Sequence, residues 1–325
     1  MNLKDLHSIY CEPFGEYKSR RDFISPSDIK GCKTPTQYLW KRENKVFNET
    51  DDTLIGSYFH AMVLEPDKVE QEFAIWKDIM KPFPDKNYTN SENKKARDSF
   101  ISMSEASGKK VLHEELFRKA AGMYEAIKHS ESFLPIFNRD KGICEYSFLA
   151  CAKLLVGFDE TGDRNKYYDL QIFNISEAAH IPKDRLILLK VRPDYVSKKN
   201  MYIADVKTSI TASPAGRKFE RHSYDFEYHI QAAMYIDVVT AATNKPFDDF
   251  FFGVVEKTEP YDNQVFLCTG DFIEYGRLQY KTRLIQIKLA ENKKKYKSYD
   301  VYSSLDGGVM MLDVPFYAKL DEIKF

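Results

Sequence analysis

The chain has 325 residues, 43% apolar and 30% charged, with 23 Phe and 21 Tyr, a composition that builds a sizeable core and excludes disorder over most of its length. Its 48 basic and 49 acidic residues leave a net charge of -1, which argues against a general DNA-coating role and leaves any nucleic-acid contact to local clusters. The five scattered cysteines, Cys11, Cys32, Cys144, Cys151 and Cys268, never fall as CxxC, and neither an apolar leader nor a membrane-length run is present; the expectation is a cytoplasmic protein with reduced thiols, no zinc or iron-sulfur framework and no membrane contact.

Ser25-Pro26-Ser27-Asp28 opens a short helix, with a capping serine, proline at the first helical position and an acid in the first turn. A second helical stretch, PTQYLWKREN, begins at Pro35. Residues 53–66 (TLIGSYFHAMVLEP) carry Leu54, Ile55, Tyr58, Phe59, Met62 and Val63 as an apolar stripe at helical spacing. His60 falls between the stripe positions, and Gly56 lies one turn before it on the same face, leaving room for a ligand or another backbone. Taken alone, this helix fits a hydrogen-bonded packing histidine better than a ligand. Residues 77–92 predict a surface loop, followed by scaffold helices over 91–107 and 113–130.

Residues 142–155 (GICEYSFLACAKLL) predict one strand, in which Glu145 among apolar neighbours needs a cation or solvent as its reason. Residues 157–184 are polar and turn-rich and are taken as an insertion. The stretch over 186–208, LILLKVRPDYVSKKNMYIADVKT, predicts a β-hairpin, with strands at 186–196 and 201–206 around Ser197, Lys198, Lys199 and Asn200. Each strand ends near a carboxylate, Asp194 on the first and Asp205 on the second. Alternation puts Asp205 and Lys207 on one face, expected at a solvent-reached strand end, and turns Val206 to the core. Two converging carboxylates repel unless a cation lies between them, and hard oxygen ligands suit Mg²⁺ or Mn²⁺. With the lysine beside them they outline a phosphodiester-cutting site; a solvated salt bridge is the bland alternative.

Residues 209–221 predict a loop whose Lys218 and Arg221 either meet DNA phosphates or are merely solvated. A helix over 224–243 sets Tyr228, Gln231 and Tyr235 on one face. Strands follow at 248–257 and 264–268. Residues 271–297 predict a helix with Leu278, Leu284, Ile285 and Leu289 inward and Arg277, Lys281, Arg283, Lys288 and residues 293–295 outward. The C-terminal stretch with Gly307-Gly308 and Val314-Pro315-Phe316 is expected to wrap the domain as irregular structure.

The motifs TPTQYLW, GSYFHAMVLEP, RPD, DVKT and YHIQAAMY, in this order, resemble the PD-(D/E)XK nuclease superfamily and, within it, the nuclease domain of the RecE-type, exonuclease VIII-like enzymes of phage and prophage recombination. The match spans residues 23–318 and implies a single nuclease domain over 1–325, an α/β restriction-endonuclease-like core with a central mixed β-sheet flanked by helices. Within that resemblance Asp194 and Asp205 are metal-binding acids, joined by the Val206 carbonyl. Lys207 is the catalytic lysine, His60 lies beside the metal, and Glu145 stands where related exonucleases carry a further acid. Gln231 and Tyr235 match a pair that contacts DNA or steadies the site. Residues 157–184 have no counterpart in the pattern, and without a C-terminal cysteine cluster the iron-sulfur branch is excluded. The implied activity is Mg²⁺-dependent (or Mn²⁺-dependent) 5′ to 3′ digestion of linear double-stranded DNA from its ends. A ring-shaped homo-oligomer and a single-strand annealing recombinase as partner belong to the same expectation. The rivals are a structure- or sequence-specific endonuclease on this fold and a protein that binds DNA ends without cutting. If Lys207 serves as a base, its pKa should be depressed.

Overall fold

Two β-sheets meet at a seam that the chain crosses twice, and the crossings position everything discussed below. The computed structural model describes residues 6–44, 49–82, 90–158 and 166–299; the expected C-terminal wrap and part of the loop at 77–92 lie outside the described residues.

The chain begins with β1 (Ile9–Tyr10), α1 (Phe14–Ser19), α2 (Pro26–Ile29), α3 (Pro35–Asn44) and α4 (Asp51–Leu64). The sequence signal at α2 is met: Pro26 is its first residue, and the Ser25 N–H donates to the Asp28 carboxylate at 2.8 Å. Next come α5 (Val69–Glu72), β2 (Phe73–Trp76), α6 (Ser91–Ala106), β3 (Lys110–His113), α7 (Glu114–Lys128) and α8 (Phe133–Ile136), with β2 and β3 paired in parallel. The stripe predicted on α4 is its buried face. Leu54, Ile55, Tyr58, Phe59 and Val63 share one core with Leu116, Ala120 and Met123 of α7 and with Ala204, Val206 and Val255, which packs α4 on a face of the larger sheet.

β4 (Gly142–Cys144) belongs to that larger sheet, and β5 (Ser147–Phe158) to the smaller one, where it pairs antiparallel with β6 (Lys166–Asn174) and with β7 (Leu186–Val191). β8 (Tyr195–Ser197) and β9 (Tyr202–Ser209) form the hairpin. After α9 (Lys218–Asp225) and α10 (Tyr228–Thr243), β10 (Asp249–Glu256) pairs in parallel with β9, and β11 (Asn263–Leu267) completes the order β11-β10-β9-β8-β4. The last described helix is α11 (Gly270–Lys293). α10 is apolar around most of its circumference, as a helix buried on all sides must be. It lies between the sheets and α11 at a separation only glycine permits, since a Cβ at Gly276 would lie 2.0 Å from the His229 carbonyl oxygen. Among the described residues no helix is long and apolar enough to cross a membrane, and all five cysteines are free.

Several expectations are corrected here. The single strand predicted over 142–155 is two strands in different sheets, parted at Glu145, whose φ is 58°. The strand predicted over 186–196 likewise divides at Arg192-Pro193-Asp194, where Pro193 has no N–H to give a ladder. Residues 166–174, taken as polar and turn-rich, form a full strand paired with residues 150–158, and a 3-10 helix, Ile175–His180, follows with Ile175 and Ala178 buried. Residues 215–225, expected as loop and helix start, are a 3-10 turn and α9. The helix predicted from 224 begins at Tyr228 because Glu227, at φ 53°, breaks the chain direction to bury its carboxylate against Arg283 at 2.7 and 2.8 Å. Arg283, expected outward, is therefore buried; Lys288, also expected outward, is buried too, whereas Leu278, expected inward, is exposed.

Candidate active site

Glu145 and Asp194 stand at the two places where the chain crosses the seam. The Glu145 N–H donates to the Asp194 carbonyl at 3.2 Å, and the Val206 N–H donates to Asp194 Oδ2 at 2.6 Å. His60 reaches both acids from α4: its Nε2 lies 2.8 Å from Asp194 Oδ2 and its Nδ1 3.5 Å from Glu145 Oε1. Gly56, one turn earlier, lets α4 approach β9, since a Cβ there would already touch Thr208 Oγ1 at 3.4 Å. His60, Glu145 and Asp194 thus offer ligand atoms all within 4.8 Å of one another.

Asp205 sits one strand over and deeper. It is 1% exposed, which corrects its expected place at a solvent-reached strand end, while the Lys207 side chain keeps partial exposure. The Gln231 amide donates to Asp205 Oδ1 at 2.5 Å. Lys207 forms an ion pair with Oδ2, so both oxygens of the buried carboxylate are engaged. The predicted alternation holds, with Val206 buried between these two side chains. Tyr235 donates its hydroxyl to the Arg192 carbonyl at 3.2 Å. The Gln231 and Tyr235 bonds both tie α10 to the site. Lys218 and Arg221 are exposed on α9, one turn apart, with Phe219 buried beneath them. Phe219 packs against Tyr228 with ring centroids 6.4 Å apart, and Tyr228 in turn carries the Lys207 ammonium 5.0 Å from its centroid. That chain of rings ties α9 to the site.

Sequence reasoning missed Arg192. Its Nε donates to Glu145 Oε2 at 2.7 Å, and its Nη1 donates to the Glu12 carbonyl at 2.7 Å and to Ser147 Oγ at 3.3 Å. The signal was the arginine of RPD itself; its partners come from segments too remote in sequence to be read.

Burial works against the His60 imidazolium, but Asp194 and Glu145 outweigh it and hold its pKa up at about 9. Burial pushes Glu145 up to about 7 against the pull of His60 and Arg192. Asp194 is buried too, yet His60, Lys207 and the Val206 N–H keep it below the usual carboxylate range. Asp205 is pushed up to about 6 by burial and by Asp194, with Lys207 opposing. Burial alone would depress Lys207, but Asp205 outweighs it and holds the amine above its ordinary value, opposite to the depression expected of a base. Two carboxylates and an imidazole whose ligand atoms lie within 4.8 Å of one another, with the Asp205 carboxylate one strand over, form a donor set that fits a hard divalent cation.

Residues 183–299 match the family model of a PDDEXK-like domain of unknown function (DUF3799). That segment holds Asp194, Asp205, Lys207, Gln231 and Tyr235, whereas His60 and Glu145 precede it. The structure is similar to one described as a "Putative exonuclease" from Eubacterium rectale, at 13% identity and a TM-score of 0.52, over 97% of this chain and 98% of that one. A second solved structure, described as SSO0001, covers 71% of this chain and 86% of its own at 11% identity, and at a TM-score of 0.24 it carries no argument. No curated protein sequence matches the chain. The architecture is the PD-(D/E)XK type: a mixed sheet flanked by helices, with acids and a lysine delivered by a hairpin.

Proposed function

We propose that this protein is a metal-dependent deoxyribonuclease that hydrolyses phosphodiester bonds of linear double-stranded DNA from its ends. The observation that carries the reading is the convergence of His60, Glu145 and Asp194 beside the Asp205–Lys207 pair. Asp194, Asp205, the Val206 carbonyl, His60 and Glu145 would hold a divalent cation, Mg²⁺ or Mn²⁺ by the hardness of the donors. Such an ion supplies charge neutralisation and an acidified water.

The chain's own residues do the rest. Lys207, whose amine Asp205 holds above its ordinary value, would orient the attacking water and offset charge developing on the phosphate. Gln231 holds Asp205, and Arg192 holds Glu145, so that both acids are aimed before substrate arrives. Lys218 and Arg221 on α9 would receive backbone phosphates of the same duplex.

The finer points rest on the sequence resemblance: 5′ to 3′ direction, a ring-shaped homo-oligomer, work in phage-type recombination with a single-strand annealing partner, and a cytoplasmic setting. Incubating linear and covalently closed circular duplex with the protein in Mg²⁺ tests the reading. Loss of the linear form alone supports an end-dependent exonuclease. Cutting of the circle supports an endonuclease, and loss of neither, with binding retained, supports a protein that holds ends without cutting.

A further inference from the structure

Lys30, which follows α2, has a backbone that is fully used. Its N–H donates to the Pro26 carbonyl at 2.9 Å and its carbonyl accepts from Lys41 Nζ at 2.7 Å, while Ile29 beside it is wholly buried. The side chain is therefore delivered from a fixed point. Its ammonium lies 4.9 Å from the centroid of the Tyr228 ring, the same ring that carries Lys207 at 5.0 Å.

No described carboxylate, hydroxyl or carbonyl takes a hydrogen bond or ion pair from Lys30 Nζ, and the nearby acids are engaged elsewhere. Asp205 is occupied by Lys207 and Gln231, and Glu227 by Arg283, Lys33 and the Gly31 N–H. Two half-buried ammonium groups on one ring, only one of them with a counter-charge, form an arrangement that an incoming anion completes. Burial and the neighbouring Lys207 bring the Lys30 pKa down to about 7 against the pull of Asp205 and Glu227, and an anion bound beside it would raise it again.

We propose that Lys30 is a substrate-holding residue, receiving a phosphate oxygen of the DNA backbone beside the phosphate that Lys207 serves. The inference rests on the nuclease reading and adds to it a second lysine, from a different part of the chain, on the substrate's path. Lys207 then belongs to the scissile phosphate and Lys30 to its neighbour along the strand, each against the Tyr228 ring.

The test compares wild type, Lys30→Gln and Lys30→Arg. Binding of a linear duplex is followed by fluorescence anisotropy in Ca²⁺ over a range of salt, cleavage by single-turnover rate in Mg²⁺, and stability by melting without DNA. Lys30→Gln is expected to weaken binding roughly tenfold at about 0.1 M salt and to flatten the salt dependence by about one unit of slope. Lys30→Arg should restore most of both, and neither variant should melt below wild type. Wild-type affinity and slope in Lys30→Gln overturn the proposal, as does a loss of binding that tracks a fall in melting temperature and is not restored by arginine. A wild-type protein that binds DNA but never cuts it sinks the nuclease reading while the salt slopes still decide on Lys30. Wild type that binds no DNA overturns both.

Discussion

The Glu145 N–H donates to the carbonyl of Asp194 at 3.2 Å, and this bond joins the two points where the chain passes from one sheet to the other. Glu145 holds a φ of 58°, which a residue with a side chain adopts only at a cost of about 1–2 kcal/mol. The Asp194 carbonyl on one side and the Arg192 guanidinium on the other keep it there. The conformation aims the carboxylate at His60 and not along a strand.

Arg192→Lys tests that arrangement. A lysine is a single point charge and cannot bond Glu145, Ser147 and the Glu12 carbonyl together. Divalent metal affinity, measured by calorimetric titration with Mn²⁺, should fall by about 10–100-fold, the usual effect of losing a residue that orients a ligand. Unchanged affinity would mean that Glu145 is either not a ligand or not aimed by Arg192.

Glu227 gives a stability prediction with a defined sign. Burial opposes its ionisation, but Arg283, Lys33 and the Gly31 N–H outweigh it and hold the carboxyl well below its usual range. A depressed pKa of this kind contributes stability above the unfolded value of about 4.3 and loses it as pH falls below that value. Glu227→Gln leaves Arg283 buried without its counter-charge and should cost about 3–5 kcal/mol near neutral pH. Denaturant unfolding should show that the gap from wild type narrows below about pH 4. A gap independent of pH contradicts the assignment.

Gly276→Ala probes the closest helix contact. The added methyl would meet the His229 carbonyl at 2.0 Å and Ala233 Cβ at 3.0 Å, and the first of these is backbone, so α10 and α11 must separate. The expected loss is about 1–3 kcal/mol, read as a lower unfolding midpoint. Because α10 carries Gln231 and Tyr235, the nuclease rate should fall with it. A variant as stable as wild type would show that the two helices part without cost.

On the DNA side, Lys218→Ala and Arg221→Ala should each weaken duplex binding in Ca²⁺ and flatten its salt dependence by about one unit. Lys294→Ala, at the far end of α11, should do neither. Equal losses from all three would move the DNA path to α11.

What the sequence allowed to be read is uneven for physical reasons. The stripe on α4, the β8–β9 hairpin and the facing of Asp205 and Lys207 follow from local periodicity, and local periodicity is legible. Which sheet a strand joins is a long-range property, and the stretches over 142–155 and 186–196 each read as one strand because both halves are apolar. Pro193 was the readable objection to the second. Nothing local marks the left-handed turn at Glu145. Over 166–174, Tyr168, Leu170 and Ile172 alternate with period two, a strand signal masked by the polar residues around it. Nothing local distinguishes a buried charge on α11 from a solvated one. Arg283 is buried only because Glu227, 56 positions away, turns inward to meet it.

The central claim, that the acids and lysine at the seam cut DNA, is tested most directly by digesting linear duplex labelled at either 5′ end with wild type, Asp194→Asn, Asp205→Asn and Lys207→Ala, with and without Mg²⁺. The predicted result is digestion from the ends by wild type in Mg²⁺ alone, and background rates for all three variants while each still melts as a folded protein. Intact duplex with wild type in both Mg²⁺ and Mn²⁺, or wild-type digestion by any of the three variants, would contradict it.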